Sequence, residues 1–510
     1  MRCLVFALIV FTTACNREPE PAQPPIVGAT AGGAAGGVVA TGGSSGGGSS
    51  GGSSAGGTVD LAERAPKRWP LVPSVTHDVD TDLAAVLEAQ ALAGACDAVK
   101  NGATDQRTRL RCGKWMFFYE TFGTTGVPVP LLDFLQKHYG DSYYGRGFSR
   151  LGFIPDPASM KGMPLGLAPT TGKAGTVSTL AFTCASCHFG KMPDGRYAVG
   201  YGNLSLDYGK LLASLGAPLT LSSNANDPKV HMQLRQELAG PVAAAKMQSS
   251  YQIDLGIAGL QLLGAGMGAQ LSVDEQGRFL ALRTGTMDFM TRPLVEDNVW
   301  TVSRIMSLWN LPDAERRTSA GMPHEMLSWN GGVDTLESFL AGFVTYGQSQ
   351  VEWSPARLSP LADYVRSLRA PATLAPLEAD EVKEGARLFV GMGCLECHKG
   401  ASGEGARVFT FDEMGTDPTY ATIYNPGPDG KSPVGDFFVT RGVKAPRMAG
   451  LFSQTRFLHN GAVATLEELF CLSPRDPSRV EGQRSDGHGM TCQGLTELEK
   501  RRLITYLKSL

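Results

Sequence analysis

The stretch TCASCHFG, residues 183–190, places two cysteines three positions apart and a histidine directly after the second. Cysteines at positions i and i+3 share one face of a helical turn, and the histidine at i+4 lies beside them. Three kinds of site use such a pair: a zinc site, a redox dithiol and a covalent haem attachment site. The choice among them depends on whether the motif recurs and on where the chain is sent.

The same pattern recurs as GCLECHKG at residues 393–400. One zinc site built from both pairs is disfavoured, because structural zinc pairs usually lie much closer in sequence than Cys187 and Cys394. Zinc also gives no reason for a histidine after both pairs, and a thioredoxin-like dithiol expects a surrounding βαβ pattern that we do not find. Two CxxCH motifs therefore predict two covalently bound c-type haems. The expected thioether anchors and proximal iron ligands are Cys184, Cys187 and His188 for the first haem, and Cys394, Cys397 and His398 for the second.

The N-terminus indicates export. Arg2 precedes an apolar run over residues 4–11, which is too short to span a bilayer, and Cys15 follows Ala14 as in a bacterial lipoprotein signal. The alternative is an ordinary signal peptide with an incidental cysteine. Residues 1–14 are thus the expected signal and residues 15–57, rich in Gly and Ser, a flexible tether. We expect a protein of the cell envelope, facing the periplasm or the cell surface, that contacts the membrane only through a lipid on Cys15.

The other cysteines suit an oxidising compartment. Cys3 leaves with the signal, and the four that remain form two close pairs, which predict the disulfides Cys96–Cys112 and Cys471–Cys492. The net charge of −3 implies no nucleic-acid partner. The apolar stretch at residues 255–271 is glycine-rich and slightly short, so a buried helix or channel lining is favoured over a membrane span.

The chain also repeats itself outside the CxxCH motifs. LSWNGGVDTLESFL at residues 327–340 matches FLHNGAVATLEELF at 457–470, with an Asn-Gly turn and with Thr335 and Thr465 placed as helix N-caps. Shorter matches join SRIMSLW (303–309) to PRMAGLF (446–452), and YVRSL (364–368) to YLKSL (506–510). These repeats predict a mainly α fold with two c-type cytochrome domains in tandem, produced by internal duplication. The first domain, residues 58–370, has an N-terminal extension and an insertion, and the second covers residues 371–510.

The two copies differ at one position that matters for chemistry. Trp329 stands where the second copy has His459, and only the second copy offers His488 and Met490 near its end. A second axial ligand closes a haem iron, whereas a missing one leaves it open to a small molecule. We therefore expect an open first haem and a six-coordinate second haem with His488 as sixth ligand, Met490 and His459 being the alternatives. The insertion around residues 255–271 would form a partly apolar wall over the first haem.

Further histidines and tryptophans have less specific interpretations. His77, His138, His231 and His324 are expected to be surface or hydrogen-bonded residues. Trp300, Trp309 and Trp329 are expected core residues, one of which could relay electrons between haems.

The two CxxCH motifs, together with KAPRMAGLFSQTRFLHNGAVATLEELF at residues 444–470, resemble the bacterial dihaem cytochrome c peroxidase superfamily. LHNG, Gly487-His488, GMPLGL before the first motif and GYGNLSLD after it are most similar to the rubber-oxygenase-like branch. The resemblance covers roughly residues 140–510. It implies two mainly helical cytochrome domains, with either peroxide reduction or dioxygen-dependent cleavage of an apolar polymer at the N-terminal haem. It also implies His188 and His398 as proximal ligands and His488 as the distal ligand of the second haem, methionine being usual in true peroxidases.

The chain departs from the peroxidase pattern in two places. No tryptophan lies between His188 and Trp300, so the usual inter-haem relay is absent or built differently. Glu237 and Glu296 are available as distal acids, although a surface role suits each of them better. We expect a dihaem oxidoreductase that acts on peroxide, dioxygen or an apolar substrate and exchanges electrons with a small redox partner. The alternative is a non-catalytic electron-transfer lipoprotein, and a bound calcium is a further option for which no motif speaks.

Overall fold

The computed structural model describes residues 60–70, 75–124, 127–129, 145–159, 163–169, 179–208, 284–288, 302–346, 353–405, 407–419, 442–480 and 483–510. The predictions for the signal, Cys15, the tether, the 255–271 stretch, His138, His231, Glu237, Glu296 and Trp300 fall outside these ranges. Within them, no helix is both long enough and apolar enough to cross a membrane.

The described part of the chain is mostly helical, with several small sheets. Its α-helices are α1 (Leu83–Leu87), α2 (Ala89–Leu92), α3 (Ala95–Lys100), α4 (Gln106–Tyr119), α5 (Cys184–His188), α6 (Ala314–Ala320), α7 (Leu336–Tyr346), α8 (Pro355–Ser367), α9 (Ala379–Gly391), α10 (Phe411–Met414), α11 (Leu466–Leu469) and α12 (Glu497–Ser509). Its strands are β1 (Val79–Asp80), β2 (Val127–Pro128), β3 (Leu167–Pro169), β4 (Thr179–Phe182), β5 (Phe189–Lys191), β6 (Tyr197–Val199), β7 (Thr286–Asp288), β8 (Val302–Arg304), β9 (Val408–Thr410) and β10 (Gly442–Lys444).

All of the strand pairs are antiparallel, and they form four sheets in the described residues. The first CxxCH helix, α5, lies between two three-stranded sheets, β2–β4–β3 before it and β1–β6–β5 after it. β7 pairs with β8, and β9 pairs with β10. The short strands therefore serve mainly to fix the loops that flank the cysteine motifs.

Two helix pairs repeat the same close crossing. In α4, a Cβ on Gly113 would lie 2.1 Å from the Pro360 carbonyl oxygen and 2.5 Å from Tyr364 Cβ of α8. In α9, a Cβ on Gly385 would lie 2.2 Å from the Arg502 carbonyl oxygen and 2.6 Å from Tyr506 Cβ of α12. Only glycine allows such an approach, since any side chain would meet backbone atoms. The spacing from the contacted carbonyl to the tyrosine is the same in both pairs, so α4 and α8 correspond to α9 and α12.

The aromatic contacts and chain ends follow the same correspondence. Phe117, four residues after the first glycine, meets Tyr364 edge-on with ring centroids 5.9 Å apart, and Phe389 meets Tyr506 at 5.5 Å. Ser367 Oγ and Ser509 Oγ each donate a 2.6 Å hydrogen bond to the carbonyl of the tyrosine three residues before. The YVRSL and YLKSL match therefore holds in three dimensions.

The Asn-Gly loops are also built alike. Leu327 forms a β-bridge with Val333, and Phe457 forms one with Val463, so the two loops have identical spans. The backbone N–H groups of Ser338 and Glu468 donate to the hydroxyls of Thr335 and Thr465, which are therefore N-caps as predicted.

Each half contributes a backbone hydrogen bond to the other. The N–H of Arg304 donates to the carbonyl of His459 at 2.7 Å, and the N–H of Lys444 donates to the carbonyl of Trp329 at 2.9 Å. Arg304 thus corresponds to Lys444. Matching SRIMSLW with PRMAGLF, which equates Arg304 with Arg447, is wrong by three positions, because the shared strand and not the shared arginine sets the register.

Candidate cofactor-binding sites

Helix α5 carries Cys184, Cys187 and His188 on little more than one turn. Its position is fixed by side-chain and backbone hydrogen bonds: Asn203 Nδ2 donates to the Ser186 carbonyl at 3.1 Å, and the N–H of Asn203 donates to the Cys187 carbonyl at 2.7 Å. Ser186 Oγ donates in turn to the carbonyl of Gly166. GMPLGL and GYGNLSLD therefore act as the supports of the motif on its two sides.

His188 is oriented by a backbone carbonyl from a distant segment. Its Nδ1 lies 3.0 Å from the carbonyl oxygen of Met306, two residues beyond β8. A hydrogen bond from Nδ1 to a carbonyl fixes the tautomer and leaves Nε2 as the nitrogen with a free lone pair. Burial lowers the pKa of His188 to about 4, so the imidazole is neutral at pH 7, as a metal ligand must be.

The second motif uses another local geometry for the same purpose. Cys394–Glu396 form a 3-10 turn, and the N–H of His398 donates to the Cys394 carbonyl at 2.9 Å. His398 Nδ1 lies 2.5 Å from the carbonyl of Gly403. Both CxxCH histidines therefore have Nδ1 engaged by a backbone carbonyl, and the backbone of Pro446 is a further hydrogen-bond partner of the His398 ring.

None of the four motif cysteines takes part in a disulfide. Burial raises the pKa of Cys184 and Cys187 to about 12 and that of Cys394 to about 11. Such thiols are largely protonated at neutral pH, which does not suit a redox dithiol that needs a thiolate. The two cysteine pairs also do not come together in one metal site. Among the described residues, no three His, Cys, Asp or Glu side chains form a cluster that could hold a metal ion.

The imidazole of His488 faces that of His398 across a cavity. The ring centroids are 6.3 Å apart, with the planes inclined by 63°. The cavity has a volume of about 430 Å³ and includes Cys394 and Cys397 in its lining. Burial is the main cause that lowers the pKa of His488 to about 4, followed by the positive field of His398. The two imidazole rings therefore lie close together in an edge-type contact, in a cavity that Cys394 and Cys397 also line.

The loop that carries His488 is held from several directions. Arg475 donates to the carbonyls of Ser485 and Gly487 with one nitrogen and to the Leu469 carbonyl with another, so it ties the loop to the end of α11. The Cys471–Cys492 disulfide closes the same loop. Gly487 has φ +118°, and a Cβ there would lie 2.7 Å from Thr416 Oγ1, so the residue before His488 must be glycine.

The two alternative sixth ligands are placed less favourably. Met490 is 54% exposed on the 3-10 turn Gly489–Cys492. His459 is buried and lines the same cavity, but its ring packs on Phe411 and its Nδ1 lies 3.5 Å from Thr416 Oγ1. His488 is thus the residue whose ring is paired with His398.

The distance between the two histidine rings is compatible with a shared metal. Imidazole nitrogens bind metals such as zinc at about 2.0–2.1 Å, so two rings that share one metal have centroids roughly 6 Å apart. The observed 6.3 Å matches this spacing. Since the two cysteines of the CxxCH motif line the same cavity, the residues present fit a c-type haem: Cys394 and Cys397 would attach it, and His398 and His488 would be available to bind its iron.

Comparisons with known proteins leave the family open. No family model matches the chain, and no curated protein matches it. Among solved structures, a chain of Kuenenia stuttgartiensis hydrazine synthase pressurised with xenon is similar, with 21% sequence identity and a TM-score of 0.25. That alignment covers 46% of this chain and 79% of the other. At this level the likeness carries no functional argument, and function has to be argued from the residues themselves.

Two features of the sites escape sequence reasoning. The carbonyls of Met306 and Gly403, which orient the histidines, have no side-chain signature. The second feature is that α4 is the counterpart of α9 in the first half. The sequence hides this, because α4 lies about 65 residues before the first CxxCH motif, whereas α9 ends directly before the second motif. The two helices share a G-x-x-x-F spacing, Gly113 to Phe117 and Gly385 to Phe389, which is the sequence signal for their correspondence.

The other histidines and tryptophans that the sequence singles out differ in whether they lie near a cysteine motif. His77 is an exposed partner of Asp80, and His324 Nδ1 accepts from the N–H of Met326, so neither belongs to a cysteine site. Trp329 and Trp309 both line the cavity of the second motif. The residues of the insertion, at 209–283 and 289–301, lie outside the described part of the chain.

Proposed function

We propose that this protein is an exported dihaem c-type cytochrome with oxidoreductase activity. In this proposal each CxxCH motif holds one haem, and residues 58–370 and 371–510 are two cytochrome domains related by duplication. The repeated helix crossings at Gly113 and Gly385 support the duplication. The N-terminal sequence supports export, with a lipid on Cys15 as the only membrane attachment.

The observation that carries the proposal is that the rings of His398 and His488 lie close together, with centroids 6.3 Å apart. Both line the cavity that also includes Cys394 and Cys397. A haem bound there would supply reversible one-electron chemistry. The protein's part is to keep both imidazoles neutral through burial and to fix the His398 tautomer through the Gly403 carbonyl. Since His398 and His488 would both be available to hold the iron of a bound haem, the second site would be suited to storing and passing electrons.

The first site is suited to binding a small substrate. His188 is oriented in the same way as His398, by the carbonyl of Met306. The second half carries His488 between its Asn-Gly loop and α12, whereas residues 341–354, the corresponding stretch of the first half before α8, contain neither histidine nor methionine. We propose that this site is open to peroxide or dioxygen, or to an apolar substrate with dioxygen, and that a small redox protein exchanges electrons with the second site.

Two measurements test the proposal. A pyridine haemochrome assay of the purified protein should give two covalent haems per chain. Electron paramagnetic resonance of the oxidised protein should then show one high-spin and one low-spin haem. Two low-spin signals would favour a non-catalytic electron carrier. Protein without covalent haem would refute both the oxidoreductase and the electron-carrier proposals.

A further inference from the structure

Three cationic side chains line the cavity of the second motif: Arg304 from β8, Lys444 from β10, and Arg447 shortly after it. Arg447 is hydrogen-bonded to the carbonyls of Trp309 and Ser307, at 2.9 and 3.0 Å. Arg304 donates one hydrogen bond to Gln454 Oε1 and stacks on Trp329. The three cations come from both halves of the chain and surround one cavity.

Lys444 is the member of this group without a partner. It is only 5% exposed, and no hydrogen bond or ion pair of its Nζ is found among the residues that the structure describes. Burial lowers its pKa to about 7, with Arg447 acting in the same direction and Glu404 opposing. An unpaired buried ammonium is unfavourable unless an anion is supplied from elsewhere.

The nearby acid does not satisfy these cations. Glu404 is 2% exposed and accepts a 3.0 Å hydrogen bond from the N–H of Ser402, while its other oxygen is buried without a hydrogen bond in the described residues. Glu396 also lines the cavity, so three cations stand against two carboxyls and one positive charge remains in excess. A ligand that carries carboxylate groups would balance this charge.

On the basis of the proposed function, we infer that Lys444, with Arg304 as its counterpart from the other half, binds the carboxylate side chains of the haem held by the second motif. The two residues are equivalent, because the N–H of each donates to the Asn-Gly loop of the opposite half. A haem seated between them would therefore be bound by both halves of the chain. This makes Lys444 and Arg304 binding residues of the second site that no sequence motif indicates.

The test uses the full-length holoprotein and three variants. Lys444→Met removes the charge and Lys444→Arg keeps it. Lys500→Met is the matched control, since Lys500 is also buried, 7% exposed, in the same half, but its Nζ donates to the Cys492 carbonyl. Resonance Raman spectra report the bending modes of the haem carboxylate side chains, and spectroelectrochemistry reports the reduction potential.

Lys444→Met should shift the carboxylate bending modes of the low-spin haem and make its potential more negative, because a nearby cation favours the reduced state. Lys444→Arg and Lys500→Met should retain the wild-type modes. Unchanged modes and potential in Lys444→Met would overturn the inference. Should that variant not accumulate, a structure of the wild-type holoprotein decides: a Lys444 Nζ farther than about 4 Å from both haem carboxylates refutes the contact. Absence of covalent haem would refute the proposed function instead.

Discussion

His488 owes its position to a backbone conformation that few residues adopt. Its φ of 54° lies in the left-handed region, and its N–H donates to the Met414 carbonyl at 3.1 Å. Such a conformation costs about 1–2 kcal/mol for a residue with a Cβ. The hydrogen bonds of Arg475 and the Cys471–Cys492 disulfide hold the loop in place despite this cost. These contacts fix the backbone of His488 beside the cavity of the second motif.

The first prediction concerns this imidazole. For the haem proposed at the second site, His488→Ala should convert a low-spin iron to high spin, because it would remove one of the two proposed nitrogen ligands. Both haems should remain covalently attached, since Cys394 and Cys397 are unchanged. Absorption and electron paramagnetic resonance spectra of the oxidised variant report the spin state.

Met490→Ala is the matched control, because Met490 belongs to the same loop but is 54% exposed. It should leave the low-spin signal unchanged. A high-spin product from Met490→Ala, with a low-spin His488→Ala, would assign the sixth ligand to methionine instead.

For individual residues, the sequence predicts which side chains could bind a cofactor, but it does not predict what orients those side chains. The two CxxCH motifs and the Gly-flanked His488 stand out because their residue types and spacing are rare without a cofactor. The carbonyl groups that orient His188 and His398 belong to Met306 and Gly403, whose side chains play no part. Any residue has a carbonyl, so only the fold reveals which one is used.

The pairing of α4 with α8 and of α9 with α12 defines the repeated element of the molecule. The match between YVRSL and YLKSL, where several neighbouring residues coincide, reveals the second helix of each pair, α8 and α12. It does not identify α4, because α4 and α9 share little more than a glycine and a phenylalanine. The two helices share the need for a residue without a side chain at Gly113 and Gly385, where another helix comes close. A single glycine does not reveal this need in the sequence, because the helix that it contacts is distant along the chain.

The second prediction tests that requirement. Gly385→Ala should destabilise the protein, although alanine is favoured over glycine in helices by about 1 kcal/mol. The reason is that the added Cβ would lie 2.2 Å from the Arg502 carbonyl oxygen, so α9 and α12 must separate. Gly391→Ala, at the end of the same helix with no atom within 4 Å of the added Cβ, should be neutral or slightly stabilising. Thermal unfolding compares the two, and equal melting temperatures would contradict the close crossing.

At the scale of the whole molecule, the two halves are joined through each other's loops and through the segment 60–70 that follows the tether. Asp60 pairs with Lys383 of α9 at 2.9 Å, and the Pro66 carbonyl accepts a 2.6 Å hydrogen bond from Tyr506 of α12. Trp69, a few residues later, contacts the first half. One short segment is therefore anchored to both halves.

The last prediction concerns Trp69, which is 5% exposed and lies between the guanidinium groups of Arg316 and Arg369, at 4.1 and 4.9 Å from its ring centroid. Trp69→Ala should lower the free energy of unfolding by about 3–5 kcal/mol, since it removes a buried aromatic ring and two cation–π contacts. Leu61→Ala, on the same segment but 37% exposed, should cost less than about 1 kcal/mol. Denaturant unfolding measures both, and limited proteolysis should cut Trp69→Ala faster within residues 60–70. If the two variants unfold alike, the segment contributes no appreciable stability through Trp69, and the hydrogen bonds between Arg304, Lys444 and the opposite loops must hold the halves together without it.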